Sequence, residues 1–174
     1  MEAQHLAPAD AGGPRPGPLP PGRAEPERHR EWLAARQGPG QAERPLVLIV
    51  EDEENIRTAL QALLETSGYR VAATALGEEA VRVAPVLRPD VVLLDLVLPR
   101  RSGLDTVRCL KEDPATASIP VVAMTALWLA EHTETLAAAG FQGALRKPYT
   151  TAELFAELER ALAPDTAARD IGAA

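Results

Sequence analysis

The chain has 174 residues, which suits one ordinary domain, and 46% of them are hydrophobic but only 3% aromatic, so the core must consist of aliphatic side chains. A formal net charge of −7 leaves no basic surplus to neutralise phosphates, which argues against a general nucleic-acid binder. One cysteine excludes an internal disulfide and a cysteine metal cluster, and the sequence has neither a membrane-spanning apolar run nor a secretory signal, so we expect a cytoplasmic protein.

The first 44 residues differ in composition from the rest, because prolines alternate there with glycine and alanine. Such a segment cannot bury enough apolar surface to offset its ordering entropy, so residues 1–44 are predicted to be a disordered arm. Residues 27–37, which include Trp32 and Leu33, could form a short helix. Two interpretations of it stay open: a transient helix, or a docking segment for a partner or for the domain's own surface, anchored by Trp32.

Short apolar runs and amphipathic segments then alternate to the end of the chain. The runs predict strands buried in a parallel sheet, at residues 46–50, 69–74, 90–95, 119–124 and 142–146. Helical periodicity with cap residues predicts the helices that follow them: one from Ile56 that Gly68 closes, one at 78–87, one from Leu104 that Asp113-Pro114 ends, one at 127–139, and one over 154–162 that Pro164 stops. This strict alternation predicts an α/β domain over residues 45–163, with helices on both faces of the sheet, and a frayed tail at 164–174.

Polar residues stand at four of the predicted strand ends. Glu51 and Asp52 follow the first strand, Asp95 ends the third, Thr125 follows the fourth and Lys147 follows the fifth. The carboxyl ends of parallel strands share one edge of the sheet, so these side chains should converge. Three acids need a cation, and oxygen ligands suit Mg²⁺, while the lysine and hydroxyl complete an oxyanion site. A carboxylate in that setting is arranged to accept a phosphoryl group.

Each of these residues also has a simpler interpretation. Asp95 could be a turn or capping aspartate, and Glu51 and Asp52 could be acids favoured by a helix dipole. Thr125 could be a plain N-cap, and Lys147 a solvated surface lysine. Their convergence at one sheet edge favours the functional interpretation.

The chain resembles the receiver domains of two-component response regulators. The resemblance covers residues 46–163 and is carried by Ile49-Val50-Glu51-Asp52-Glu53, Leu93-Leu94-Asp95-Leu96-Val97-Leu98-Pro99, Gly103, Met124-Thr125-Ala126 and Lys147-Pro148. It implies a flavodoxin-like (βα)5 fold, in which a doubly wound, five-stranded parallel sheet has strand order 2-1-3-4-5. It also implies a signalling protein that is a phosphoacceptor rather than an ordinary enzyme. A tail of about ten residues after the domain leads us to expect a stand-alone regulator, and the richness in Ala, Arg and Pro suggests a bacterial genome.

The resemblance also implies a role for each site residue. Asp95 would accept phosphate from a sensor histidine kinase or a histidine phosphotransfer protein. Mg²⁺ would bind Glu51, Asp52, Asp95 and the backbone carbonyl of Val97, while Thr125 would be the switch hydroxyl and Lys147 the phosphate contact. Output would pass to an unknown partner protein, without nucleic acid or membrane. The fourth helix, fifth strand and fifth helix would form the docking face, in a monomer or weak homodimer.

The sequence departs from the family pattern at three places. The acidic pair, often Asp-Asp, is Glu51-Asp52 here, and Ala144 stands where the family usually has Tyr or Phe, which puts the usual aromatic readout in doubt. Val97 and Leu127 occupy two positions that tune dephosphorylation, and neither side chain can orient an attacking water. We therefore expect slow dephosphorylation, with an acyl-phosphate half-life longer than minutes.

Three other functions fit the sequence less well. A haloacid-dehalogenase-type hydrolase needs a second aspartate where Val97 stands. A dinucleotide-binding domain needs a glycine-rich turn where the acidic run 51–54 stands. A pseudo-receiver that acts as a phosphorylation-independent interaction module stays open because of Ala144.

Overall fold

The computed structural model describes residues 44–126 and 133–163. Strands and helices alternate within these ranges: β1 Leu46–Val50, α1 Glu54–Thr66, β2 Arg70–Thr74, α2 Gly77–Leu87, β3 Val91–Asp95, α3 Gly103–Glu112, β4 Val121–Thr125, α4 Thr133–Ala139, β5 Gly143–Arg146 and α5 Thr151–Leu162. All pairings are parallel, in the order β2-β1-β3-β4-β5, so the predicted flavodoxin-like fold is confirmed. Three stretches lie outside the described residues: positions 1–43 of the predicted 1–44 arm with its helix at 27–37, residues 127–132, and the tail at 164–174.

Side-chain burial follows the position of each strand in the sheet. Every residue of β1, β3 and β4 is buried, since these strands have neighbours on both sides and helices on both faces. The edge strands β2 and β5 are partly exposed. The apolar runs of the sequence therefore form the centre of the sheet, and the residues that follow them lie at its carboxyl edge, on well-packed strands.

Two apolar layers hold the helices against the sheet. Alternate strand residues such as Ile49 and Leu93 pack with α1 and α5, where Phe155 is the largest fully buried side chain among the described residues. The intervening residues, such as Leu48, pack with α2, α3 and α4. Strand side chains point to opposite faces in turn, so both layers come from the same short runs.

Local signals set the ends of several elements. Ser102 caps α3, since its hydroxyl accepts a hydrogen bond from Asp105 N at 3.1 Å. β2 begins one residue later than predicted because Tyr69 N still donates to Leu64 O at the end of α1. β4 begins after Pro120, which has no N–H to donate, and extends to Thr125. None of the described helices is long and apolar enough to cross a membrane.

Candidate functional site

An acidic cluster forms where β1 and β3 end side by side. Val50 pairs with Leu94 in the parallel register, so Glu51 and Asp95 come level at the carboxyl edge of the sheet. One carboxylate oxygen each from Glu51, Asp52 and Asp95 lies within 4.8 Å of the other two. Glu51 is only 1% exposed and Asp95 6%, whereas Asp52 is exposed. The structure therefore brings together the three predicted acids.

Lys147 reaches the same cluster from the end of β5. Its Nζ donates to Glu51 Oε2 at 2.7 Å and to Asp95 Oδ2 at 2.6 Å. Its backbone N–H donates to Thr125 O at 2.7 Å, and a cis peptide bond to Pro148 follows. Burial alone would lower the pKa of Lys147, but the hydrogen bonds to Asp95 and Glu51 outweigh it and raise that pKa above its usual value. The lysine is therefore a firmly charged ammonium between two carboxylates.

The cluster still carries more negative charge than this one lysine neutralises. Burial raises the pKa of Glu51, although the Lys147 ammonium acts in the opposite direction. Three carboxylates that share one lysine favour a further cation close to their oxygens. An all-oxygen donor set with one exposed acid, Asp52, open to solvent suits a hard divalent ion that keeps some of its water, as Mg²⁺ does.

The carboxylate of Asp95 is held by contacts at both oxygens. Oδ1 accepts a hydrogen bond from Val97 N at 2.8 Å, and Oδ2 accepts the one from Lys147. The start of α3 packs on the main chain behind it: Gly103 N donates to Leu96 O at 3.1 Å, and a Cβ at Gly103 would lie only 2.4 Å from Asp95 O. Asp95 therefore stands on a backbone support that only glycine permits.

The structure describes three of the four remaining predicted positions. Thr125 ends β4 at 1% exposure, and its Oγ1 donates to Ala126 O at 3.2 Å. The Val97 side chain is 66% exposed, and the role of its carbonyl stays a prediction. Ala144 is half-buried in β5, while Leu127 lies outside the described residues.

The sequence analysis missed one residue that shapes the site. Arg57, in the first turn of α1, donates from Nη1 to Glu51 O at 2.8 Å and to Asp52 O at 3.0 Å. It thereby holds the main chain of both acids in the turn between β1 and α1. The sequence does show an arginine about one helical turn after the acidic run 51–54. That spacing suggests an ion pair with a carboxylate, whereas Arg57 bonds two backbone carbonyls.

Comparison with known proteins gives a consistent result. The family model "Response regulator receiver domain" matches residues 47–159. The polar-differentiation response regulator DivK of Brucella anthropi is 38% identical over 102 residues, which make up 59% of this chain and 83% of that protein.

Solved structures agree in fold. The receiver domain of the sensor histidine kinase PA1611 from Pseudomonas aeruginosa PAO1 is 34% identical, with a TM-score of 0.64 over 70% of this chain and 99% of that chain. A magnesium ion is coordinated in the active site cleft of that structure. The Vibrio cholerae chemotaxis protein CheY4 is 29% identical, with a TM-score of 0.65 over 68% of this chain and 99% of that chain.

Proposed function

The chain belongs to the family of response regulator receiver domains, and from that premise we propose that Asp95 accepts a phosphoryl group from a phosphohistidine. The donor would be a sensor histidine kinase or a histidine phosphotransfer protein. The observation that carries this proposal is the position of Lys147 Nζ, within 2.7 Å of one oxygen of Glu51 and one of Asp95. The buried carboxylates are suited to bind a metal cation, and the lysine ammonium beside them is suited to bind the oxygens of a phosphoryl group.

The proposed transfer is a displacement at phosphorus. A carboxylate oxygen of Asp95 attacks the phosphorus, a P–O bond forms, and the P–N bond breaks with its electron pair left on the donor's imidazole ring. Lys147 and the Val97 N–H orient the Asp95 carboxylate before attack. After transfer, Lys147 is placed to hold a phosphoryl oxygen, and rotation of the Thr125 hydroxyl away from Ala126 O would give a second donor.

Mg²⁺ fits this donor set as the resident ion. We assign Glu51, Asp52, Asp95 and the Val97 backbone carbonyl to hold it. When bound, Mg²⁺ would supply positive charge to the phosphoryl oxygens during transfer. The neutralisation that Lys147 gives alone is incomplete, so the reaction should depend on the divalent ion.

Signalling from this domain would pass through protein contact. The domain would be a phosphoacceptor that promotes its own phosphorylation and slow dephosphorylation, not an enzyme with a separate substrate turnover. We place it in the bacterial cytoplasm, with an output protein, or a second copy in a weak homodimer, docking on α4, β5 and α5.

The direct test is intact mass after incubation with acetyl phosphate and Mg²⁺. Wild type should gain the mass of one phosphoryl group, and Asp95→Asn should not. Asp105→Asn is the matched control, since it makes the same change at an exposed acid on α3 and should still gain the phosphoryl mass. No gain in folded wild type would replace the proposal with a phosphorylation-independent interaction module, and a gain without Mg²⁺ would refute the metal assignment.

A further inference from the structure

A groove of about 390 Å³ lies between the edge strand β5 and α5. Its walls combine small, aromatic and charged side chains: Ala144, Leu145, Arg146, Tyr149, Glu153, Ala156, Glu157 and Arg160. Among the described strands, β5 pairs only with β4, and residues 144–146 of β5 line the groove. An uncovered strand edge is a natural place for another segment to pack.

The groove is chemically suited to a flat aromatic ring. Two small residues, Ala144 on β5 and Ala156 on α5, leave room between the strand and the helix. Arg146 and Arg160 are among the residues that line it, and Arg160 forms an ion pair with Glu157. Arginine stacks well on indole, which is the most favourable aromatic partner for a cation. A tryptophan side chain is therefore the occupant that these walls fit best.

We propose that Trp32, in the segment of this chain before residue 44, occupies the groove between β5 and α5. Trp32 and Leu33 are the only two adjacent large apolar residues in the first 43 positions. Leu33 would extend the apolar contact along the outer edge of β5. The arm would then be a cover for this face, held in place by one aromatic anchor.

The length of the chain is compatible with this contact. In the sheet register Val50 pairs with Leu94, Leu94 with Ala123, and Ala123 with Ala144, so Ala144 lies three strand spacings across the sheet from Val50. Leu46 lies at the other end of β1 from Val50, four residues along the strand. Ala144 therefore lies about 19 Å from Leu46, where β1 begins. Trp32 precedes Leu46 by 14 positions. Fourteen residues span about 46 Å when fully extended and about 21 Å on average as a random coil. The random-coil distance is close to the distance between Leu46 and Ala144, and such a match gives the highest effective concentration of a tethered group at its site.

The charges around Trp32 complement the rim of the groove. Basic residues flank the tryptophan on both sides, and the rim carries Glu153 and Glu157 on successive turns of α5. Glu31, next to Trp32, is the acid available to Arg146. These surface pairs add little affinity, but they favour one orientation of the segment.

The test uses the full chain with Trp128→Phe, which leaves Trp32 as its only tryptophan. Trp32 emission should lie at shorter wavelength in the folded protein than in urea, with several-fold weaker quenching by acrylamide. Ala156→Arg fills the groove from an exposed helix position and should return quenching to the level of the unfolded chain. Ala152→Arg is the matched control, one turn earlier on α5 and outside the groove, and should leave Trp32 shielded.

Arginine is a good helix former, so both α5 variants should fold, which circular dichroism checks. The proposal is overturned if Trp32 in the parent protein is quenched as in urea. It is also overturned if shielding survives Ala156→Arg or is lost equally in Ala152→Arg. Shielding that rises with protein concentration, together with a dimer in sedimentation, would assign the groove to a second copy of the chain instead.

Discussion

Lys147 is the residue on which the electrostatics of the site depend. It donates to the carboxylates of Glu51 and Asp95, whose side chains taken alone are 2% and 9% exposed, while its own side chain is 26% exposed. Replacement by methionine keeps most of the side-chain volume and leaves both acids without their cation. We expect Lys147→Met to lower the free energy of unfolding in metal-free buffer by about 3 kcal/mol, the lower end for breaking a buried pair, because the lysine is partly solvated.

Urea denaturation in EDTA measures this change. Arg82→Met is the control, since it removes an ion pair with Glu79 whose side chains are 73% and 45% exposed. That loss should stay within about 0.5 kcal/mol, as is usual for surface pairs. If Lys147→Met and Arg82→Met lower the free energy of unfolding equally, Lys147 contributes no more to stability than an exposed surface charge.

Val97 lies two positions after Asp95 with its side chain 66% exposed, so it faces the solvent that would hydrolyse an acyl phosphate. An isopropyl group cannot orient water, and we expect the phosphorylated protein to persist with a half-life longer than minutes. Val97→Asn adds a hydrogen-bonding group at that position and should shorten the half-life several-fold. Loss of the phosphoryl mass over time measures both, with Val86→Asn, at another exposed valine, as the control. A wild-type half-life of seconds in Mg²⁺ buffer would contradict this expectation.

At the scale of elements, the contact between α3 and the end of β3 supports the site. A Cβ on Gly103 would lie 2.4 Å from Asp95 O and 2.7 Å from Leu96 Cα, and main-chain atoms cannot rotate away. Gly103→Ala should therefore displace α3 or the Asp95 backbone. We expect a loss of about 1–3 kcal/mol in stability, and a fall in the rate of phosphorylation by acetyl phosphate.

Gly77→Ala separates these two effects. There the added Cβ would meet the side-chain oxygen of Thr106 at 2.2 Å, a group that can rotate. This variant should lose stability and keep its phosphorylation rate per folded molecule. A rate that falls as much in Gly77→Ala as in Gly103→Ala would show that α3 affects the site only through general stability.

The turn between β1 and α1 depends on Arg57 in a similar way. Its guanidinium bridges the carbonyls of Glu51 and Asp52, so it positions the main chain from which both acids project. Arg57→Ala should weaken Mg²⁺ binding in calorimetry. Arg57→Lys keeps the charge but not the planar fork, and should restore only part of the affinity. Tighter Mg²⁺ binding in Arg57→Ala would mean that the arginine acts mainly as a repelling charge.

At the scale of the whole molecule, the alternation of apolar runs and amphipathic segments predicted the sheet and its helices. The acids and the lysine were predictable because each follows a buried strand, and parallel strands end at one edge. Arg57 was not predicted, since its partners are carbonyl oxygens, which every residue carries. The start of β4 was misplaced by two residues because Ile119 continues the apolar run, although Pro120 has no N–H to donate to a neighbouring strand. The contact between Gly103 and Asp95 depends on tertiary geometry that no local pattern encodes.

Mg²⁺ binding at the acid cluster should stabilise the whole folded domain. The three carboxylates converge only after β1 and β3 pair, so the unfolded chain has no such site. At a Mg²⁺ concentration 100 times the dissociation constant, we expect about 2.7 kcal/mol of added stability. NaCl at the same ionic strength must be the reference, because any salt screens the −7 net charge.

Asp52→Asn separates the stabilisation that comes from bound Mg²⁺ from the stabilisation that comes from screening of repelling charges. Asp52 is exposed, so its replacement should change stability by no more than about 0.5 kcal/mol in EDTA. It nevertheless removes one of the three converging ligands, and the stabilisation by Mg²⁺ should shrink to near the NaCl reference. Asp105→Asn removes the same charge outside the cluster and should keep the full effect. Equal stabilisation of wild type by MgCl₂ and NaCl would mean that the cluster relaxes by screening alone and holds no resident ion.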